Sequence, residues 1–123
     1  MAGTLGVGVI GCGNISSAYF RLSKLFQAIE VKACADLNME IAQAQAKEFG
    51  LEALSVEALL SHSEVDIIVN LTVPNAHFEV SKAILEAGKH VYSEKPLTLS
   101  LEDGLALRDL AHQKGLRVAC TPD

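Results

Sequence analysis

The sequence has no tryptophan, and only 5% of its residues are aromatic. That argues against a nucleic-acid surface in which rings interleave with basic side chains. Positive charge is also scarce. Ten Lys and Arg stand against fifteen Asp and Glu, a formal net charge of −5. Such a balance gives no electrostatic hold on nucleic acid or on an anionic membrane. No apolar run approaches the ~20 residues of a membrane span. The N-terminus has no basic region or cleavage site of the kind that directs secretion. The three cysteines (Cys12, Cys34, Cys120) are odd in number and far apart, which excludes a disulfide framework and predicts buried reduced thiols. The four histidines are scattered, so no stretch has metal-ligand spacing. Together these features point to a cytoplasmic protein.

Half of the 123 residues are apolar and a fifth are charged. That composition suits one soluble α/β domain over residues 1–123, long enough to bury roughly two-thirds of its unfolded surface.

The most informative stretch is Val7-Gly8-Val9-Ile10-Gly11-Cys12-Gly13-Asn14-Ile15-Ser16. An apolar strand enters a Gly-x-Gly-x-x-Ser turn, and the turn opens a helix. Gly11 permits a sharp exit from the strand. Gly13, without a Cβ, lets a pyrophosphate approach the backbone, and Ser16 lets the helix pack close. The free N–H groups at the start of that helix then face the anion. Such a turn also occurs as a plain tight turn, so it needs corroboration.

The remaining pattern alternates strands with helices. Strands are predicted at Leu5–Ile10, Glu30–Ala35, Val65–Leu71, His90–Ser93 and Arg117–Cys120. Helices are predicted over Ile15–Ile29, from Asn38 to Phe49, from Ser55 to Leu60, Ala76–Ala87, and from Ser100 to Gly115. Asn38, Ser55 and Ser100 read as N-caps, and Gly50, Gly88 and Gly115 as stops. No hairpin dipeptide joins two strands. The pattern predicts a doubly wound parallel sheet of five strands in the order 3-2-1-4-5, with helices on both faces.

Three features corroborate the glycine turn. Asp36 ends the second strand about twenty residues beyond it, where a carboxylate accepts hydrogen bonds from adenine-ribose hydroxyls. It would also repel a 2′-phosphate, and Leu37, Asn38 and Met39 supply no arginine. NAD is therefore favoured over NADP. Alternatively, Asp36 is a capping or solvated aspartate. Thr72-Val73-Pro74-Asn75-Ala76-His77 follows the third strand at the carboxyl edge of the sheet. Asn75 reads equally as an N-cap or a cofactor contact, and His77 as a solvated first-turn residue or a groove residue. Ser93-Glu94-Lys95-Pro96 follows the fourth strand at the same edge. Pro96 fixes the backbone just after Lys95, and a lysine beside a cofactor suits proton handling. Taken alone, Glu94 and Lys95 are also a plain surface pair.

In order and spacing, Gly11-x-Gly13-x-x-Ser16, Asp36, Thr72-x-Pro74-Asn75-x-His77 and Glu94-Lys95-Pro96 resemble the Gfo/Idh/MocA oxidoreductase family along the whole chain. Glu94-Lys95-Pro96 is the most specific element. The resemblance implies an N-terminal Rossmann domain that binds NAD or NADP. It implies oxidation of a secondary alcohol, or reduction of the carbonyl, on a sugar or cyclitol. Lys95 would hydrogen-bond the reacting hydroxyl as the catalytic residue, and Glu94 would lie near the nicotinamide ribose. Asp36 would hold the adenosine ribose. Gly11, Gly13, Asn14, Ile15, Thr72, Pro74, Asn75 and His77 would complete the cofactor groove. Family members run to two or three times this length and carry a second α/β domain for substrate and homo-oligomer contacts. The chain therefore reads as the cofactor-binding part of an enzyme, inactive alone. The alternative is a non-catalytic nucleotide-binding module.

Overall fold

The computed structural model describes residues 5–13 and 29–120. The predicted helix from Ile15, with Asn14, Ile15 and Ser16, lies outside the described residues; Ile29 itself opens a strand.

The elements follow as β1 (Leu5–Ile10), β2 (Ile29–Ala35), α1 (Met39–Phe49), β3 (Glu52–Leu54), α2 (Val56–Leu60), β4 (Ile67–Asn70), a 3₁₀ turn (Pro74–Ala76), α3 (His77–Glu86), β5 (His90–Ser93), α4 (Leu101–Lys114) and β6 (Val118–Cys120). All strand pairs are parallel, and the order is β3-β2-β1-β4-β5-β6. The doubly wound sheet is as predicted, with one strand more. Glu52–Leu54 occupies third place, pairing Ala33–Ala35. The strand predicted at Val65–Leu71 is thereby the fourth, and it lies directly against β1.

The helix ends follow local chemistry. Asn38, Ser55 and Ser100 accept from the amides of Glu40, Ala58 and Asp103. Gly50 and Gly115 close α1 and α4 in the left-handed conformation. Asn75 caps nothing: α3 starts behind Ala76 with no side-chain cap.

Alternation along the strands separates two cores. Ile10, Ala33, Ala35 and Ile68 join Leu59, Ile84, Leu85, Leu107 and Ala111 from α2, α3 and α4. On the opposite face, Val7, Val9, Cys34 and Val69 meet Ala42 and Ala46 of α1. The two alanines let α1 lie close to the sheet. Gly6 is fixed by packing too, since a Cβ there would stand 1.7 Å from the Glu64 carbonyl oxygen. Cys12 and Cys34 are buried free thiols, as expected, while Cys120 is half-buried. Among the described residues no helix is long and apolar enough to cross a membrane.

Candidate functional site

Because every strand is parallel, the carboxyl ends of β1, β2, β4 and β5 share one edge. Backbone bonds continue past the strand ends there. The Gly11 amide donates to the Ala35 carbonyl (2.9 Å), Leu71 to Ile10 (2.8 Å), and Glu94 to Asn70 (3.0 Å). Four loops are thus laced into one rim at the switch point of the sheet, where open α/β sheets bind ligands.

Gly11 turns the chain at φ 101°, and a Cβ there would lie 2.7 Å from the Leu71 backbone. Only glycine fits both constraints. Gly13 is the opposite case. It is exposed, and a Cβ there would meet nothing within 4 Å. Its missing side chain leaves room on the solvent side of the turn, where an anion can come close to the backbone.

Asp36 stands beside this turn. One carboxylate oxygen accepts from the Cys12 amide (2.8 Å), the other from the Asn38 amide (2.9 Å). Each oxygen keeps acceptor capacity for a further donor.

A cleft of about 350 Å³ opens between the glycine turn and the start of α3. That falls within the range of small-molecule sites, about 300–1,000 Å³. Gly11, Gly13, Asp36 and Thr72, all candidates from the sequence, line it. Its apolar walls include Val56, Val73 and Val80, which the sequence reading did not assign to the site. Valines spaced along three elements carry no local signature of a shared cleft. Asp36 is the one charged lining residue among the described residues. An apolar slot ending in a carboxylate fits a flat base with its ribose diol.

Pro74 and Asn75 are exposed on the 3₁₀ turn next to the cleft. Glu94 is half-buried and Lys95 exposed, on the loop after β5. The Lys95–Pro96 peptide is cis. His77 is not a solvated residue: it is 1% exposed. Its Nδ1 faces the Pro96 carbonyl oxygen at 2.5 Å, and its Nε2 the Thr72 carbonyl oxygen at 2.7 Å. A buried polar group absent from the sequence reading stands behind it. The Asn70 amide nitrogen donates to the His77 carbonyl (3.1 Å) and the Ser81 hydroxyl (2.9 Å). The Asn70 side-chain Oδ1 accepts from the Thr72 amide (3.2 Å) and hydroxyl (2.6 Å). An asparagine closing an otherwise apolar strand was the available signal.

Cys12 and Cys34 lie behind the turn. The Cys12 thiol is pushed well above the usual range by its hydrogen bond with Cys34 and by burial. Buried at the back of the turn and donating to the Ala35 carbonyl, it is a packing group.

The profile of the GFO_IDH_MocA family, described as "Oxidoreductase family, NAD-binding Rossmann fold", matches residues 5–121. The chain belongs to this family and carries its NAD-binding Rossmann fold. Among relatives, a dTDP-3,4-didehydro-2,6-dideoxy-alpha-D-glucose 3-reductase from Streptomyces violaceoruber is 39% identical over 94% of this chain and 34% of its own length. An inositol 2-dehydrogenase from Salmonella typhimurium is 29% identical over 94% of this chain and 35% of its own. A 3-ketoreductase from Actinomadura kijaniata, solved with NADP and TDP-benzene, superimposes with a TM-score of 0.91 at 31% identity, covering 96% of this chain and 37% of that one. The chain thus spans about a third of the length of the relatives it matches.

Proposed function

We propose that this chain is the cofactor-binding domain, residues 1–123, of an NAD-dependent oxidoreductase. The enzyme would interconvert a secondary alcohol and its carbonyl on a sugar, cyclitol or similar small molecule. The carrying observation is the shared rim. The open backbone at Gly13, the Asp36 carboxylate and the apolar cleft adjoin, and Glu94-Lys95 emerges on the same edge. When bound, the nicotinamide supplies the hydride acceptor or donor at its C4.

The residues then have distinct tasks. Gly11 and Gly13, with Asn14 and Ile15 next in the sequence, are assigned to the pyrophosphate. Asp36 accepts from the adenosine ribose, and Val56, Val73 and Val80 flank the base. Thr72, Pro74, Asn75 and the buried His77 shape the next stretch of groove. Glu94 lies toward the nicotinamide ribose. Lys95 hydrogen-bonds the reacting hydroxyl and assists its proton, away from the oxygen in oxidation and back to it in reduction.

Asp36 supports NAD over NADP. The exposed Leu37-Asn38-Met39 that follows holds no cation for a 2′-phosphate. Sugar and cyclitol enzymes among the relatives support that substrate class. Substrate contacts and homo-oligomer assembly would come from the part of such enzymes that this chain does not span. The buried free thiols suit the cytoplasm. The net charge of −5 supports neither nucleic acid nor membrane as a partner.

Titration of NADH into the chain, followed by fluorescence or calorimetry, tests the reading. Saturable binding weakened by Asp36→Ala is expected. No binding at millimolar NADH would overturn it. Joined to a substrate domain, Lys95→Ala should abolish polyol or sugar oxidation and leave NADH affinity within about threefold.

A further inference from the structure

The loop that carries Lys95 is held at two points, one on each side of it. On the N-terminal side, the Glu94 amide donates to the Asn70 carbonyl at 3.0 Å. On the C-terminal side, the Pro96 carbonyl receives the His77 ring. Both anchors come from one buried group, since the Asn70 side chain also holds the His77 carbonyl.

The other ring nitrogen of His77 meets the Thr72 carbonyl (2.7 Å), while the amide and hydroxyl of Thr72 rest on Asn70. The imidazole therefore spans two loops, the one after β4 and the one after β5. Both partners are backbone carbonyl oxygens, one at each ring nitrogen, and the small rigid ring reaches both at once. Among the described residues no buried side-chain nitrogen or oxygen lacks a partner, so the network is closed. At 1% exposure the ring lies behind the groove, with its polar atoms turned to the protein.

We infer that His77 is a positioning residue: it clamps the Thr72 loop to the Pro96 loop and so fixes Lys95 and Glu94 at the nicotinamide end of the groove. This rests on the cofactor reading above and adds to it a division of labour. The adenosine end is set chiefly by Asp36 and the glycine turn, with the Thr72 loop as one wall of its cleft. The nicotinamide end is set through the clamp. His77 acts on the cofactor through the loops it joins.

The test compares two ligands on the whole chain. ADP-ribose lacks the nicotinamide and probes the adenosine and pyrophosphate end; NADH probes both ends. Three variants separate the clamp from simple packing. His77→Asn places a donor near the Nδ1 position, His77→Gln near the Nε2 position, and His77→Phe fills the space with no donor. Each is expected to lose NADH affinity tenfold or more and ADP-ribose affinity threefold at most, because the Thr72 loop is only one wall of the adenosine cleft. In the free chain, amide exchange at Glu94, whose N–H is held by the Asn70 backbone carbonyl, should speed at least tenfold in His77→Gln, with Val91 in β5 unchanged. That second readout needs no ligand and reports the clamp even where a variant binds poorly.

Wild-type NADH affinity in both His77→Gln and His77→Phe would overturn the inference. So would equal loss of both ligands with faster exchange throughout β5, which is the signature of a packing role alone. If wild type binds neither ligand, the cofactor reading itself falls, and its failure is visible before any variant is made.

Discussion

The Asp36 carboxylate, at the end of β2, accepts a 2.8 Å hydrogen bond from the Cys12 amide inside the glycine turn. The residue proposed to read the ribose thus also braces the turn proposed to hold the pyrophosphate. The two ends of the adenosine subsite are mechanically one piece. Replacing Asp36 should therefore weaken more than one contact.

Asp36→Ala is expected to lower NADH affinity at least tenfold. A hydrogen bond to a charged group contributes about 1.5–3 kcal/mol. The preference for NADH over NADPH should shrink as well, because the repulsive carboxylate is gone. Calorimetry with both cofactors checks this, and an unchanged NADH affinity would remove Asp36 from the site.

Two glycine substitutions should separate folding from binding. In Gly6→Ala the new methyl carbon would lie 1.7 Å from the Glu64 carbonyl oxygen, so the backbone must move. A loss of about 3 kcal/mol or more is expected in urea melts. In Gly13→Ala the methyl enters open space. Stability should stay within about 1 kcal/mol, while NADH affinity falls because the methyl occupies the approach to the turn. A Gly13→Ala variant that binds like wild type would place the pyrophosphate elsewhere.

Lys89 is buried at the opposite end of the sheet. Its ammonium donates to the carbonyls of His62 and Val65, both at 2.7 Å. Lys89→Met strands both acceptors and should cost about 1–3 kcal/mol. Burial holds the Lys89 ammonium below its ordinary range, with Asp66 acting in the opposite direction. The folded chain thus releases this proton at lower pH than the unfolded one. Between the two values the unfolded state binds more protons, so this group's contribution to stability rises with pH. The stability gap between wild type and Lys89→Met should therefore widen as pH climbs from neutral toward 10.5. Urea melts at several pH values give the slope; a gap that narrows would show that the charged form is the one the fold favours.

Thiol chemistry should divide along burial. Cys12 and Cys34 are shielded, and Cys120 is half-buried in β6. Iodoacetamide on the native chain is expected to label Cys120 first, with Cys12 and Cys34 reacting only after denaturation. Peptide mass spectrometry reads the order. Early labelling of Cys12 would mean that the glycine turn opens far more readily than its packing allows.

The sheet and the edge where the site lies were legible because both follow from local patterns. Apolar strands, glycine stops and side-chain caps repeat along the chain, and Gly11, Asp36 and Lys95 each follow a strand. Glu52–Leu54 was not legible as a strand. Three residues with no alternation say little, and pairing with Ala33–Ala35 makes the strand. The polar group around Asn70 was hidden for a different reason. Its members Asn70, Thr72, His77, Ser81 and Pro96 look like unrelated residues of a strand, a turn and a helix. Only their convergence in space gives each a partner. The valine walls of the cleft were obscure likewise, since an apolar side chain facing a cleft reads like one facing a core.

The sheet narrows toward both of its outer strands. β1 and β2 have six and seven residues, whereas β3 and β6 have three each. Unpaired strand rims recruit any extended polypeptide that drifts past. A rim of three residues offers such a visitor too few ladder bonds to offset the entropy of aligning it. β1 is flanked by β2 and β4, and β3 covers the apolar end of β2 at Ala33–Ala35. The taper that puts the ligand edge in the middle of the sheet is thus also a safeguard against aggregation, independent of any cofactor.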